Sequence, residues 1–297
     1  MIKPELGIPE NCGSVTISFD FEIGWGDVTN QRWRHREKNG VYKRLRQVLP
    51  VILDEMDRLE FPAVWATVGA LFDNPDTRDF SHLPHDAQNQ INAVLNESES
   101  ESFNGHDLFE LVLGSRVSQH IACHTYSHVP FTWQGMSDQA VIQDLERFNS
   151  VLKRFGLATD RFVYPENREK FADAVLKSGF AKARVSPPNM AGNRWLRLAK
   201  SALFAPPFAT ETGEDGELVR HTGSMLFHDA GKSWRRQMLT RRVELGIAGA
   251  IEHKKCMHLW AHPFNFAESE SLLMAFLETL RKLARARDNG QLVIALM

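Results

Sequence analysis

Gln119-His-Ile-Ala-Cys-His-Thr-Tyr-Ser-His128 joins a short apolar run to two histidines four residues apart. Residues 119–123 read as a buried strand, and Pro130 stops any long helix behind them. His124 and His128 then share one face of a single helical turn, with both rings within reach of one divalent cation. Strand ends of this kind are where barrels and other α/β enzymes keep their active sites. A surface helix that happens to carry two histidines is the plain alternative, and the rest of the chain weakens it.

Upstream, residues 14–19 alternate β-branched and small side chains and predict the first strand. That strand runs into Asp20-Phe-Glu22 and Gly24-Trp-Gly26, acids and glycines at a strand end. From Val41, apolar residues at Leu45, Val48, Leu49, Ile52, Leu53, Met56 and Leu59 step by threes and fours, the period of an amphipathic helix. Phe61-Pro62 breaks it, and Ala63-Val-Trp-Ala-Thr-Val-Gly69 predicts a second strand. Strand, long helix and strand make a βαβ unit, hence a parallel pair. Residues 73–106 are polar and read as a surface excursion carrying short helices.

Downstream, Ser137 predicts the N-cap of a helix through Val141, Leu145, Phe148 and Leu152, ending near Gly156. Residues 161–164 predict a strand running into Pro165-Glu-Asn167. A short helix over 171–178 and a strand over 182–185 follow. Residues 187–230 show no firm period. A helix within 231–255, a strand at 257–260 feeding Ala261-His-Pro-Phe-Asn265, a helix capped by Ser269 and a final strand over 291–296 complete the chain. Strands and helices alternate with no internal repeat and no dividing linker. This favours one α/β domain over residues 1–297, built as a (β/α) barrel; no GxGxxG follows the first strand to support an open nucleotide-binding sheet.

The composition is that of an ordinary globular protein: 297 residues, 43% hydrophobic and 24% charged. A net charge of −2 gives no electrostatic footprint for nucleic acid. Cys12, Cys123 and Cys256 form no CxxC pair and no disulfide framework, and the last two read as core residues. No apolar run is long enough for a membrane span, and Met1-Ile-Lys-Pro-Glu5 lacks the apolar region of a signal peptide, so the expectation is a soluble cytoplasmic protein.

In a parallel barrel all strand C-termini point to one rim. The residues just past the predicted strands are Asp20 and Glu22, His124 and His128, Pro165-Glu-Asn167, and His262. Together they make a two-histidine, one-carboxylate metal site with a spare carboxylate and a spare histidine. An ion held by three protein ligands keeps positions for water and substrate, acidifies that water and polarises a carbonyl oxygen. A free carboxylate can take the proton of the water, and a histidine can protonate a leaving amine. The chemistry is amide or ester hydrolysis. Zinc suits the ligand set best, with cobalt, nickel, manganese and iron also compatible. His106, His120, His221, His228, His253 and His258 read as solvated or core residues, while His82 and His85 lie in the polar excursion, which could bring them near the mouth.

The ordered set Ser-Phe-Asp20-Phe-Glu22, His124-Thr-Tyr-Ser-His128, Phe162-Val-Tyr-Pro165 and Leu259-Trp-Ala-His262 resembles the polysaccharide deacetylases (NodB homology, carbohydrate esterase family 4) over residues 14–297. The resemblance implies a distorted, usually seven-stranded, TIM-like barrel that removes an N-acetyl group from an amino sugar in a polysaccharide or its precursor, with zinc or another divalent ion. It implies Asp20 as catalytic base, Glu22 as third metal ligand beside His124 and His128, and His262 as general acid. It also implies an oxyanion donor beside Pro165, the backbone N–H of Glu166. Trp25, Trp133 and Trp260 are candidate sugar-stacking walls, with core packing as the alternative. Leu259-Trp-Ala-His-Pro-Phe-Asn265 and Pro165-Glu-Asn167 resemble the branch associated with bacterial surface-polysaccharide assembly, which with the cytoplasmic expectation implies a nucleotide- or lipid-linked sugar.

Three features depart from the family pattern. Its first motif usually has adjacent aspartates; here Asp20 and Glu22 are separated by Phe21, although residues 20 and 22 of a strand share a face. Val163 stands where the family carries an arginine that orients the base, leaving Arg161, Arg168 or Arg184 to replace it. No acid-x-x-x-Trp segment matches the fourth motif. Two other functions stay open on the same architecture: a small-amide or ureide hydrolase of the allantoinase type, and a sugar-binding barrel with its chemistry lost.

Overall fold

Nine residues, Gly13–Phe21, form strand β1 of the computed structural model, and all nine are buried. The structure describes residues 12–186, 205–214, 216–229 and 231–297; the N-terminal stretch read as lacking a leader, and part of the aperiodic 187–230, lie outside them. Alternation along β1 separates two environments. Phe19 and Phe21 face the helices, where Phe19 stacks on Trp65 and meets Phe276 edge-on. Thr16, Ser18 and Asp20 face the other way and meet Cys256, His258 and Arg184.

The strands that follow are β2 (Val64–Thr67), β3 (His120–Cys123), β4 (Arg161–Val163), β5 (Lys182–Val185), β6 (Glu211–Thr212), β7 (Val219–Thr222), β8 (Met225–Leu226), β9 (Cys256–Ala261) and β10 (Leu292–Ile294). β1 to β5 lie side by side in chain order, and β9 flanks β1 on its free side, all parallel. β7 pairs in parallel with β5, and β8 pairs in parallel with β9. Only Gly223 and Ser224 separate those two strands. Their N–H groups donate in opposite directions, to Val185 O (3.4 Å) and to His258 O (2.9 Å). One continuous segment therefore bridges both edges, and the ring has the seven staves expected from the family resemblance. β6 adds an antiparallel edge to β7, and β10 pairs with the first residues of β1. Inside the ring, Val64, Ala66, Ala122 and Val163 pack with Met297.

The helices follow their sequence signals. Val41–Arg58 buries Leu45, Leu49, Ile52, Leu53 and Met56. Ser137 and Ser269 cap their helices by accepting from the N–H groups of Ala140 and Leu272. Two stretches hold more than the sequence showed. Residues 73–106 carry short helices, among them His85–Glu97, and also bury Phe80, Leu83, Ile91, Val94 and Phe103, so the segment is a packed cover. Their apolar residues are sparse and widely spaced, so the polar majority hid the buried face. The aperiodic stretch past residue 205 supplies β6, β7 and β8, strands of two to four residues that are too short to show a period. Among the described residues no helix is long and apolar enough to cross a membrane.

Candidate active site

The parallel register brings the strand ends to one place, with Asp20 opposite Ala66 and Phe19 opposite Ala261. Glu22 lies one residue past β1, His124 one past β3 and His262 one past β9. Glu22 Oε2 lies 3.2 Å from His124 Nε2 and 2.8 Å from His128 Nε2, and the two imidazole nitrogens are 3.1 Å apart. All three residues are buried.

His124 and His128 do not sit on a helical turn. Thr125 (φ 64°) and His128 (φ 60°) are left-handed, and the segment is an irregular loop. It is held by the His128 N–H donating to Thr125 Oγ1 (2.8 Å), the Tyr126 N–H to Asp144 Oδ2 (2.8 Å), and the Gly69 N–H to Thr125 O (2.9 Å). These bonds replace a helix's own ladder, so the loop keeps its shape. His82, on the packed cover, holds the other oxygen of Asp144 (3.0 Å). Gly26 makes room for the third group, because a Cβ there would overlap the Glu22 carboxylate.

The donor chemistry fits a cation. His124 Nδ1 lies 2.8 Å from Val163 O, an acceptor only, so that nitrogen carries the hydrogen. In the neutral ring the Nε2 lone pair then points at Glu22 and His128. Three electron-rich atoms about 3 Å apart repel one another unless something positive lies between them. Burial would raise the Glu22 pKa, but positive charge beside it, that of His128 and His262 when no cation is bound, holds it well below the usual carboxylate range.

Asp20 stands beside this triangle. Its Oδ2 accepts from Arg184 NH2 (2.6 Å), while its buried Oδ1 has no hydrogen-bond partner among the described residues. Burial pushes its pKa up, and the charge and hydrogen bond of Arg184, with His124 and His262, more than reverse this to a net lowering. His262 Nε2 is 3.2 Å from Glu22 Oε1 and 3.9 Å from Asp20 Oδ2. At 20% side-chain exposure it is the open edge of a cluster whose other members are nearly dry. Burial lowers its pKa, while the charge and hydrogen bond of Glu22 and the charge of Asp20 raise it further, for a net rise.

Arg184 fills the place left by Val163. The two are direct partners across β4 and β5, so the guanidinium arrives from one strand over. Arg161 instead donates to Met297 O, and Arg168 pairs with Glu166. Asn167 Oδ1 accepts from Arg184 Nε (3.3 Å) and NH2 (3.2 Å). Pro165 is buried, and Glu166 and Asn167 both turn through positive φ at the rim. The Glu166 side chain points to Thr29 and Arg168.

The tryptophans separate. Trp25 is 1% exposed and donates to Phe103 O (3.0 Å) while packing on Phe80 and Phe103, so it is core and not a sugar wall. Trp260 is half-buried, 5.6 Å from the His262 ring and 4.6 Å from the Arg184 guanidinium. Trp133 lines a groove of about 470 Å³ with Thr29, Asn30, Gln134, Glu166 and Arg168. The sequence reading placed Gly26 and Asn167 at strand ends without giving either an individual role, and gave none to Ser18, which strand alternation could have flagged two residues before Asp20 on the same face.

No family sequence model and no curated protein matches this sequence. Solved structures do. A Mycobacterium smegmatis protein assigned as a polysaccharide deacetylase superposes with a TM-score of 0.64 at 13% identity, covering 100% of this chain and 90% of its own. The chain has the polysaccharide deacetylase fold. A Pseudomonas aeruginosa protein with the same assignment gives 0.56 at 9% identity, covering 95% of this chain and 87% of its own. An allantoinase shares this deacetylase fold nearly as well, at a TM-score of 0.54 and 9% identity, covering 94% of this chain and 85% of its own.

Proposed function

We propose that the protein is a divalent-metal-dependent hydrolase that removes an N-acetyl group from an amino sugar in a polysaccharide or its precursor. The observation that carries this reading is the Glu22–His124–His128 triangle with a second carboxylate, Asp20, and a half-open histidine, His262, against it. Glu22, His124 and His128 hold the ion, zinc being the best match to two imidazoles and a carboxylate. When bound, the ion supplies Lewis acidity that polarises the acetyl carbonyl and acidifies water.

The chain's own groups move the protons. Asp20 Oδ1, without a partner among the described residues while Oδ2 is tied to Arg184, takes the proton from the attacking water. The Glu166 N–H donates to the oxygen on which negative charge develops. His262, whose pKa Glu22 and Asp20 raise against burial, gives its proton to the nitrogen as the C–N bond breaks. Acetic acid and the free amine leave, with one proton on Asp20 and one lost from His262; the acid then ionises to acetate and gives up the remaining proton of the water. Trp133 and its groove receive the neighbouring sugar, with the aromatic face against the ring and Thr29, Asn30 and Gln134 available to hydroxyls.

The test is acetate release by chelator-stripped protein reloaded with zinc, cobalt, nickel, manganese or iron. The substrates are N-acetylated oligosaccharides and UDP-N-acetyl sugars, with allantoin alongside because an allantoinase shares the fold. Metal-dependent deacetylation that Asp20→Asn abolishes is expected. Turnover of allantoin alone, or no acetate from any substrate with any metal, refutes the reading. Glycan binding with no turnover would identify a binding barrel instead.

A further inference from the structure

We infer that Ser18 and His258 are positioning residues for this reaction: they hold Arg184 so that one oxygen of Asp20 is engaged and the other stays free. The inference rests on the deacetylase reading for its kinetic part and on hydrogen-bond geometry for the rest.

Arg184 is 1% exposed, and its donors are divided among three neighbours. NH2 reaches Asp20 Oδ2 (2.6 Å), Nε and NH2 reach Asn167 Oδ1, and NH1 reaches Ser18 Oγ (3.1 Å). A guanidinium only donates, so Ser18 Oγ accepts from it. Ser18 Oγ also lies 2.7 Å from His258 Nε2. Among the described residues no third group bonds Ser18 Oγ, so its one hydrogen finds an acceptor only if that nitrogen is the unprotonated one. His258 is fully buried, and burial, with the charges of His221 and Arg184, holds its pKa well below the usual histidine range. The ring is neutral and its proton sits on Nδ1.

From Arg184 through Ser18 to His258 the donors point one way. Reversing the Ser18–His258 bond would leave the serine hydrogen without an acceptor among the described residues, so this line fixes the orientation of Arg184.

The experiment uses the full-length, metal-loaded protein. Ser18→Ala removes the acceptor, His258→Leu removes the partner of the serine hydroxyl, and His258→Gln restores an acceptor oxygen near the Nε2 position. In Ser18→Ala and His258→Leu, kcat is expected to fall by about 10- to 100-fold, the range for lost groups that orient a site. KM and zinc affinity should stay within about twofold, and His258→Gln should recover most of the loss. Nitrogen-15 NMR of labelled histidines should show His258 as the Nδ1–H tautomer in the wild type, with its Nε2 resonance displaced in Ser18→Ala. The NMR readout needs no turnover, so it separates failure of this inference from failure of the deacetylase reading. An Nε2–H tautomer, unchanged kcat in Ser18→Ala, or zinc affinity falling in step with kcat would overturn it.

Discussion

Replacing Arg184 by methionine leaves a carboxylate buried without its cation. Asp20 and Arg184 are 2% and 1% exposed and 2.6 Å apart. Removing one partner of such a pair costs about 3–5 kcal/mol, most of it from the stranded charge. Methionine keeps an apolar stem beside Trp260 and makes no new polar contact. At roughly 2 °C per kcal/mol for a chain of this size, Tm should fall by about 6–10 °C at pH 7. The double variant Asp20→Asn, Arg184→Met removes both charges and should recover much of that. It should still lack the bonds of Arg184 to Ser18 and Asn167, each worth about 1 kcal/mol net, so it should remain about 1–2 kcal/mol below wild type. Urea denaturation with a chelator present, so that no bound cation offsets the change, gives the three differences and a coupling energy expected above about 2 kcal/mol. An Arg184→Met variant within about 1 kcal/mol of wild type, or a double variant no more stable than that single one, would refute the buried-pair account.

Gly26→Ala should lower zinc affinity by at least about tenfold while the far-ultraviolet circular dichroism spectrum stays native, because its Cβ overlaps the Glu22 carboxylate; calorimetric titration with zinc measures it. Trp25→Ala should cost about 3–5 kcal/mol as a core cavity, whereas Trp133→Ala, only partly buried against the core, should cost about 1 kcal/mol and raise KM for oligosaccharides; thermal melts and initial rates on both variants separate core from groove. Glu55 accepts from Arg58 and Arg281 across two helices. Hydrogen bonds from Arg58 first, opposed by burial and reinforced by Arg281, hold its pKa below the unfolded value of 4.5. Its contribution, about 1 kcal/mol given how exposed Arg58 is, should be complete above pH 4.5 and fade as pH falls through the lowered folded value. The stability difference between wild type and Glu55→Gln, flat from pH 5 to 8 and shrinking below 4.5, is the expected profile.

Much of the architecture is local information. The period of residues 41–58, the serine caps at 137 and 269, and the apolar strands each followed by acids or histidines are written in consecutive residues, and the seven-stave barrel is consistent with all of them. So is the gathering of Asp20, Glu22, His124, His128 and His262, because a parallel barrel sends every strand end to one rim. Trp25 misled for a related reason: a tryptophan beside the acids looks the same in sequence whether its ring faces the groove or the core. Arg184 was one of three arginines that sequence reading could not separate.

By itself, then, the order of residues marked seven of the ten described strands and which of their ends carry acids and histidines that could hold a cation. Only the tertiary structure decided that the His124–His128 segment is a loop with two left-handed residues, that residues 219–226 link the two edges of the sheet, and that Arg184 reaches Asp20 in place of Val163. The physical reason is range. Helical and strand periods express themselves within one element, whereas register between β4 and β5, the room that Gly26 leaves for Glu22, and the sense of the Ser18–His258 hydrogen bond are set by atoms that meet only once distant strands have paired.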